Sequence, residues 1–569
     1  MDYAFDRSVY PRPDFIRTEY MSLNGTWEIT FPHDGKLKKN IIVPFPYQSE
    51  ASGIGMRDHY DTMRYHRSVK LPESSKGKRI ILHFGAVDHS ARVYINACFA
   101  TEHSGGYTPF ACDITEFVCG DCFDIDVYVT DTRSRSQCRG KQTWDPEPSR
   151  VHYYETSGIW QEVWLEFVPD AHIVSIKYTP DLDKLCCYAD IRFNKAVSGT
   201  LSASVYNHEG TLMQLSASVE GEFARMVFPF DDYGYHDANH LMWTPDIPNL
   251  VCVDMTLTCG DIADTVYTYF GMRKVHVFED RVFLNNVHFY MRLVLDQGYW
   301  KEGMYRPADD SGFKKDVELT KAMGFNGVRK HQKFEDPKFL YWADRLGLLV
   351  WGELPSFYRF CEDAQKDALR SMEEYIDRDY NHPSLVCYVP INETWGLRHN
   401  IGDPRQGDLA RCLYYLCKTK DPTRLVSTID GWENVNPTDI LPLHEYREMG
   451  ERMKQCYDDP AFVTSSSSAR AGHPFMSPGE KYEGQPIILT EFSAAMWPEK
   501  YETDAQFLAA LRKSVDDLID IKSIRGYCYT QLTDVYQERN GLLDMDRNPK
   551  LPIEEIAAIF GRNPIRLSY

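Results

Sequence analysis

The stretch "NGVRKHQKFEDPKFLYWADRLGLLVWGEL", residues 326 to 354, reads as strand, helix, strand. "NGVRKH" and "LLVWGEL" are short apolar runs, and "DPKFLYWADRLG" between them repeats its apolar residues at helical spacing. The same grammar continues on both sides. A helix "DDSGFKKDVELTKAMGF" precedes the first strand, and a helix "AQKDALRSMEEYIDRDY" follows the second and leads into the strand "LVCYVPINE". Further units are "GDLARCLYYLCKTKD" with "RLVSTID", then "DILPLHEY", "PIILTEF", and "DAQFLAALRKSVDDLIDI" with "RGYCYTQLTD". Alternating strands and helices build a parallel sheet, and eight such units over residues 278–569 predict a C-terminal (β/α)8 barrel.

Upstream the text is all strand. "GTWEITF", "RIILHFGAV", "ARVYINACF", "CFDIDVYVTD" and "QEVWLEFVP" are short alternating runs broken by turn residues, which predicts an N-terminal β jelly-roll sandwich over residues 1–168. "HIVSIKYTP", "CYADIRFN", "LSASVYNHEG" and "DMTLTCGDIADTVYTYFGMRKV" then predict an immunoglobulin-like β-sandwich over 169–277. Three domains suit 569 residues, since single cores stop growing near ~250–300 residues.

Composition narrows the function classes. Hydrophobic residues make up 43%, enough to bury large cores and exclude global disorder. The net charge of −20 argues against nucleic acid or an anionic membrane as partner, because phosphate binding needs concentrated positive charge. No apolar run is long enough to span a membrane, and the start "MDYAFDRSVYPRPDF" has neither the basic nor the apolar region of a signal peptide. The 15 cysteines are an odd number, scattered without regular spacing, which predicts reduced thiols in a cytoplasmic protein. Aromatics reach 13%, a richness that suits sugar-binding clefts and ordinary β cores alike.

The strand ends carry the chemistry. "CYVPINE" ends in Glu393 and "PIILTEF" in Glu491, and a carboxylate at the C-terminal end of a barrel strand lies on the face where barrel enzymes keep their active sites. Two carboxylates facing each other across a barrel mouth are the machinery of glycoside hydrolysis. Holding a divalent metal is the weaker alternative, since no His or Asp stands at ligand spacing beside either one. No Gly-rich phosphate loop follows a strand, so no organic cofactor is expected.

At these residues the chain resembles glycoside hydrolase family 2, that of the β-galactosidases and β-glucuronidases. "MSLNGTWEITF", "PFPYQSE", "YHRSVKLP", "LHFGAVDHSARVYIN" and "HSGGYTPF" are similar to its N-terminal jelly roll, "TSGIWQEVWLE" to the signature closing it, and "YFGMRKV" to the junction into the barrel. "NHPSLVCYVPINETWG" resembles the acid/base motif and "PIILTEFSA" the nucleophile motif. The resemblance implies a retaining exo-β-glycosidase, with Glu393 as acid/base, Glu491 as nucleophile, and Asn392 as a partner of the sugar 2-hydroxyl. It implies that Tyr446 hydrogen-bonds the nucleophile; spacing alone allows an aromatic in the barrel wall. His444 is a substrate contact or a neutral core histidine, and Trp351 and Trp395 stack on sugar or belong to the wall. A homo-oligomer acting on a glycoside or an oligosaccharide end is expected. The rival reading is a carbohydrate-binding protein on a silent glycosidase scaffold, which loss of either Glu would mark.

The departures concern the sugar. The Asn-x-Lys loop with which β-glucuronidases of the family grip the sugar carboxylate is missing from "NGLLDMDRNPK", residues 540–550, and Asp544 stands where that subfamily places an Arg. His152 occupies the place, six residues before Gly158, where the family often reaches an Asp out of the jelly roll. Arg329, Lys330, His331 and Lys333 gather cations at the end of the second barrel strand. Either they pair with neighbours such as Glu335 and Asp336, or one or two grip a uronic-acid carboxylate and make β-galacturonides or β-glucuronides the substrates in place of β-galactosides.

Overall fold

The computed structural model describes residues 6–32, 37–230, 240–447, 454, 457–465, 472–493 and 501–564. In the first domain a four-stranded sheet, in the order Phe110–Asp113, Arg79–Phe84, Val163–Val168, Tyr20–Ser22, packs on a six-stranded one. Alternation decides which side chains meet between them. In Cys122–Thr130 the residues Phe123, Ile125, Val127 and Val129 are buried while their neighbours face outward.

The second domain is one continuous six-stranded sheet. Its longest strand, Cys186–Asn207, pairs with Ile173–Asp181 over its first part and with Val251–Cys259 over its second. The register breaks between Arg192 and Val197, and such an irregularity lets a long hairpin bend over its own core. The first domain's leading segment crosses over: Phe15–Ile16 pairs with Tyr267 and Thr268 of this sheet.

The third domain has eight parallel strands: Met291–Asp296, Gly327–Lys330, Leu349–Glu353, Leu385–Val389, Leu425–Val426, Leu441–Glu445, Ile487–Phe492 and Ile524–Tyr529. First and eighth pair directly. The short fifth strand meets the sixth through a loop, where Asp439 N donates to Val426 O at 2.9 Å and its carboxylate accepts from Val426 N at 2.8 Å. The helix predicted in the opening stretch is Pro337–Leu346. The Asp336 side chain accepts from Lys338 N at its start, and Gly347, at φ +77°, ends it in the left-handed conformation that glycine adopts without penalty. Leu295, Arg329 and Trp351 stand side by side in the strand register and are buried in the barrel.

Jelly roll and barrel are locked together beside the barrel mouth. Gly140 N donates to Ser356 O at 3.0 Å, Tyr358 OH to Gly140 O at 2.6 Å, and Gln537 Nε2 to the carbonyls of Arg150 and His152 at 2.8 and 2.7 Å. Among the described residues no helix is long and apolar enough to cross a membrane.

Candidate active site

The C-terminal ends of the barrel strands converge on a charged floor. Arg329, fully buried at the end of the second strand, holds four strand ends at once. Its Nε donates to Glu353 at 2.8 Å, one Nη to Glu491 at 3.1 Å with Asp430 also at 3.1 Å, and the other Nη to Asn392 Oδ1 at 2.8 Å. His444, equally buried on the sixth strand, joins the remaining pieces. Nδ1 is 2.8 Å from Glu393 and 3.5 Å from Glu491, while Nε2 is 2.7 Å from Asp430. The Tyr446 hydroxyl donates to Glu491.

Backbone geometry aims the two glutamates. Ile391–Asn392 pairs in parallel with Ile429–Asp430, and Glu393 N donates to Asp430 O at 2.8 Å. Glu393 and Thr394 then adopt φ +49° and +52°, a left-handed conformation that side-chain-bearing residues avoid. The turn brings Glu393 off the strand axis into the cleft, where it stays partly exposed. Glu491, on a regular strand, is 5% exposed. One oxygen from each glutamate and a His444 ring nitrogen lie within 4.8 Å of one another.

Burial sets the protonation of this floor and the charges oppose or reinforce it. Burial alone pushes the Glu491 carboxyl up, but the His444 imidazolium and Arg329 hold it down at about 2. Burial pulls His444 down, yet Glu491, Asp430 and Glu393 raise it to about 10, so the ring is a cation. Burial lifts Glu353 to about 8 despite Arg329. A proton on Glu353 also resolves a local deficit: its Oε1 and the Nδ1 of His331 are both buried without a partner and lie 3.2 Å apart. Burial and the Arg329 charge keep His331 neutral, so it accepts that proton as a hydrogen bond. Glu393, His444 and Glu491 have metal-like spacing, but an imidazolium donating from both nitrogens offers no lone pair to an ion.

The cleft above the floor has a volume of about 910 Å³, ample for a sugar. Asn392, Glu393, Thr394, Trp395, Tyr446 and Glu491 line it, with His331, Trp432, Lys141, Arg150 and Arg398. The sequence expectations part here. Lys330 is buried against Asp296 and Glu335, and Lys333 against Glu335 and the carbonyls of Gly298 and Tyr305, so neither reaches the cleft. Arg329 is consumed under Glu491. Strand position put these side chains at the right face, but Glu353 and Asp296 at neighbouring strand ends and Glu335 of the same segment pair with them, the neighbour-pairing alternative of the sequence. Trp351 is 0% exposed inside the barrel beside Arg329 and does not stack on a ligand. His444 is neither neutral nor a cleft residue; it is charged and lies beneath. His152 packs edge-on to Trp395, ring centroids 5.9 Å apart, and burial together with Lys141, Arg139 and Arg398 pushes it down to about 3. It therefore braces the cleft wall in a neutral form.

Several contributors escaped sequence reasoning. Glu353 and Asp430 end "LVWGE" and "ID" and obey the same strand-end rule that singled out Glu393 and Glu491. Trp432, next to Gly431, gave no periodic signal. Lys141 comes from a jelly-roll loop whose approach to the barrel no sequence spacing encodes.

Comparison with known proteins agrees with the jelly roll and the barrel. Residues 13–169 match the sugar binding domain of glycosyl hydrolases family 2, and residues 275–507 match that family's TIM barrel domain. A β-galactosidase of Thermoanaerobacter pseudethanolicus is 30% identical over 342 residues, 58% of this chain and 44% of the relative. A β-glucuronidase of Streptococcus agalactiae is 23% identical over 548 residues, 87% of this chain and 86% of the relative. Other matched relatives are likewise only partly spanned: a Formosa agariphila protein described as a β-glucuronidase to 40% of its length and a Thermoanaerobacterium thermosulfurigenes β-galactosidase to 50%. The β-D-glucuronidase of Dictyoglomus thermophilum superposes with a TM-score of 0.77 at 19% identity, over 98% of this chain and 99% of that one. A galacturonate-bound β-galacturonidase of Eisenbergiella tayi gives 0.75 at 19%, over 97% and 99%. With two domain matches that together cover more than half of its length, and with the jelly roll seated beside the mouth of the barrel, the chain belongs to glycoside hydrolase family 2.

Proposed function

We propose that this chain is a retaining exo-β-glycosidase that releases terminal β-linked sugars, hexuronides or galactosides, by double displacement. The observation that carries the reading is the approach of Glu393 and Glu491, whose oxygens lie within 4.8 Å of each other through His444. Retaining glycosidases keep their carboxyl groups ~5–5.5 Å apart and inverting ones ~6.5–9.5 Å, because inversion must leave room for a water. The ionised Glu491, steadied by Arg329 and Tyr446, attacks the anomeric carbon as Glu393 gives its proton to the departing oxygen. A covalent glycosyl ester forms on Glu491. Glu393 then takes a proton from water, which attacks the same carbon and frees Glu491. Asn392 spends its carbonyl oxygen on Arg329, which leaves its amide NH2 for the sugar 2-hydroxyl.

A panel of p-nitrophenyl β-glycosides tests the reading: galactoside, glucoside, glucuronide, galacturonide and fucoside, with the α-L-arabinopyranoside. Turnover of at least one is expected, and proton NMR of the first-formed product is expected to show the β-anomer. An initial α-anomer would overturn the nucleophile assignment.

A further inference from the structure

Four lysines are buried among the described residues: Lys141, Lys330, Lys333 and Lys338. Three are matched by carboxylates. Lys330 and Lys333 each lie 2.9 Å from Glu335, and Lys338 lies 2.7 Å from Glu162. Lys141 is the exception. It is 7% exposed, its Nζ makes no hydrogen bond or ion pair with any described residue, and it sits 5.7 Å from the centroid of the Tyr153 ring. A buried ammonium without a counterion is costly, and the cost is recovered when an anion arrives.

This ammonium is aimed where an anion would be substrate. Lys141 lines the same cleft as Glu393 and Glu491. Its loop is fixed on both sides: Tyr153 N donates to Lys141 O at 2.7 Å, and the neighbouring Gly140 is tied to Ser356 and Tyr358. Gly140, at φ +60°, lies so close to the barrel that a Cβ there would stand 2.3 Å from Gln332 O. Besides Glu393 and Glu491, the carboxylate lining the cleft is Glu538, which accepts from the Tyr153 hydroxyl and forms no ion pair with Lys141.

We infer that Lys141, reaching across from the jelly roll, receives the carboxylate of a terminal β-linked uronosyl residue and so makes hexuronides the preferred substrates of this cleft. The inference rests on the glycosidase reading above. It moves the grip on the carboxylate from the second barrel strand, whose cations are all engaged, to a loop of another domain.

The test compares Lys141→Met, which keeps the aliphatic stem, and Lys141→Ala with the wild type. Circular dichroism and the melting temperature first establish that the variants fold. On p-nitrophenyl β-D-galacturonide and β-D-glucuronide the variants are expected to lose about tenfold to a hundredfold in kcat/KM, mostly through KM, the range of one charge-assisted hydrogen bond. On p-nitrophenyl β-D-galactoside the loss is expected to stay within about threefold, on the same reasoning. Equal losses on charged and neutral substrates, or a wild type faster on the galactoside than on both uronides, would overturn the inference. A wild type inactive on every aryl glycoside strikes the glycosidase reading instead. Calorimetric titration with free D-galacturonate and D-glucuronate then decides about Lys141: weaker binding by the variants supports it, and equal binding by wild type and variants ends it.

Discussion

At the scale of single residues, the floor of the barrel mouth sets opposite electrical conditions for the carboxyl groups of Glu491 and Glu353. Glu491 is surrounded by Arg329, His444 and Tyr446, all of which favour its ionised form. Glu491→Ala is expected to abolish turnover on every substrate, because no glycosyl ester can form. Glu393→Ala is expected to lose far less on aryl glycosides whose leaving group needs no proton, with added azide restoring rate; equal loss on good and poor leaving groups would show that Glu393 is not the acid. His444 leaves a separate signature in stability. Its folded pKa of about 10 lies above its ordinary 6.5, so its stabilisation is complete below 6.5 and is lost as pH climbs toward 10. Glu353, raised from 4.5 to about 8, also costs stability as pH rises, but its share is spent by pH 8. Melting temperatures of wild type and His444→Asn should therefore differ by their widest, constant gap below about pH 6.5 and converge between about 6.5 and 10, since Glu353 titrates alike in both. A constant gap across that interval would mean that His444 is not the buried cation described here.

At the scale of elements, the fourth strand and the turn after it decide where Glu393 points. Three residues of that turn are left-handed: Glu393, Thr394 and Gly396, the last at φ +77°. A Cβ on Gly396 would meet the Phe357 ring at 2.4 Å and its carbonyl oxygen at 2.7 Å. Gly396→Ala combines about 1–2 kcal/mol of backbone strain with a clash against a buried ring. It is expected to lower the melting temperature and to cut kcat at least tenfold, since a misplaced catalytic group is costly. An unchanged kcat would show that the turn tolerates displacement. The same strand explains what the sequence could disclose. Strand ends were legible because apolar runs stop at polar residues; that rule singled out Glu393 and Glu491, the family resemblance added Asn392 and Tyr446, and all four line the cleft. The rule could not say which polar ends are consumed. Arg329, Lys330 and Lys333 look alike in the sequence as cations of one segment; Glu335 of that segment was a legible partner for the lysines, but Glu353 and Asp296, which pair with Arg329 and Lys330, come from other strands. Trp351 and Trp395 both follow strand patterns, and only burial separates the lumen residue from the wall residue.

At the scale of the whole molecule, the barrel supplies Glu393 and Glu491 and the jelly roll supplies one wall of the cleft. That wall comprises Lys141, Arg150 and Val151, and it is fastened to the barrel by Gln537 and by the Tyr153–Glu538 hydrogen bond. The contact is polar and specific, with Gly140 packed so tightly on Gln332 that no larger residue fits. A barrel mouth with one side walled by a second domain accommodates the end of a chain far more readily than its middle. Long substrates are therefore expected to be shortened only from their non-reducing ends. On a β-linked galactan or uronan, monosaccharide should accumulate from the first minutes while viscosity barely falls. A rapid fall in viscosity with little monosaccharide released would mean that chains pass through the cleft, and the walled-pocket account would fail. Gln537→Ala offers a check on the cause. It removes both hydrogen bonds to the jelly-roll loop without touching the charged floor, so turnover of small aryl glycosides should change by less than about threefold, the worth of a partly exposed hydrogen bond. If the wall enforces end-on attack, the same variant should show measurably more mid-chain cleavage than the wild type.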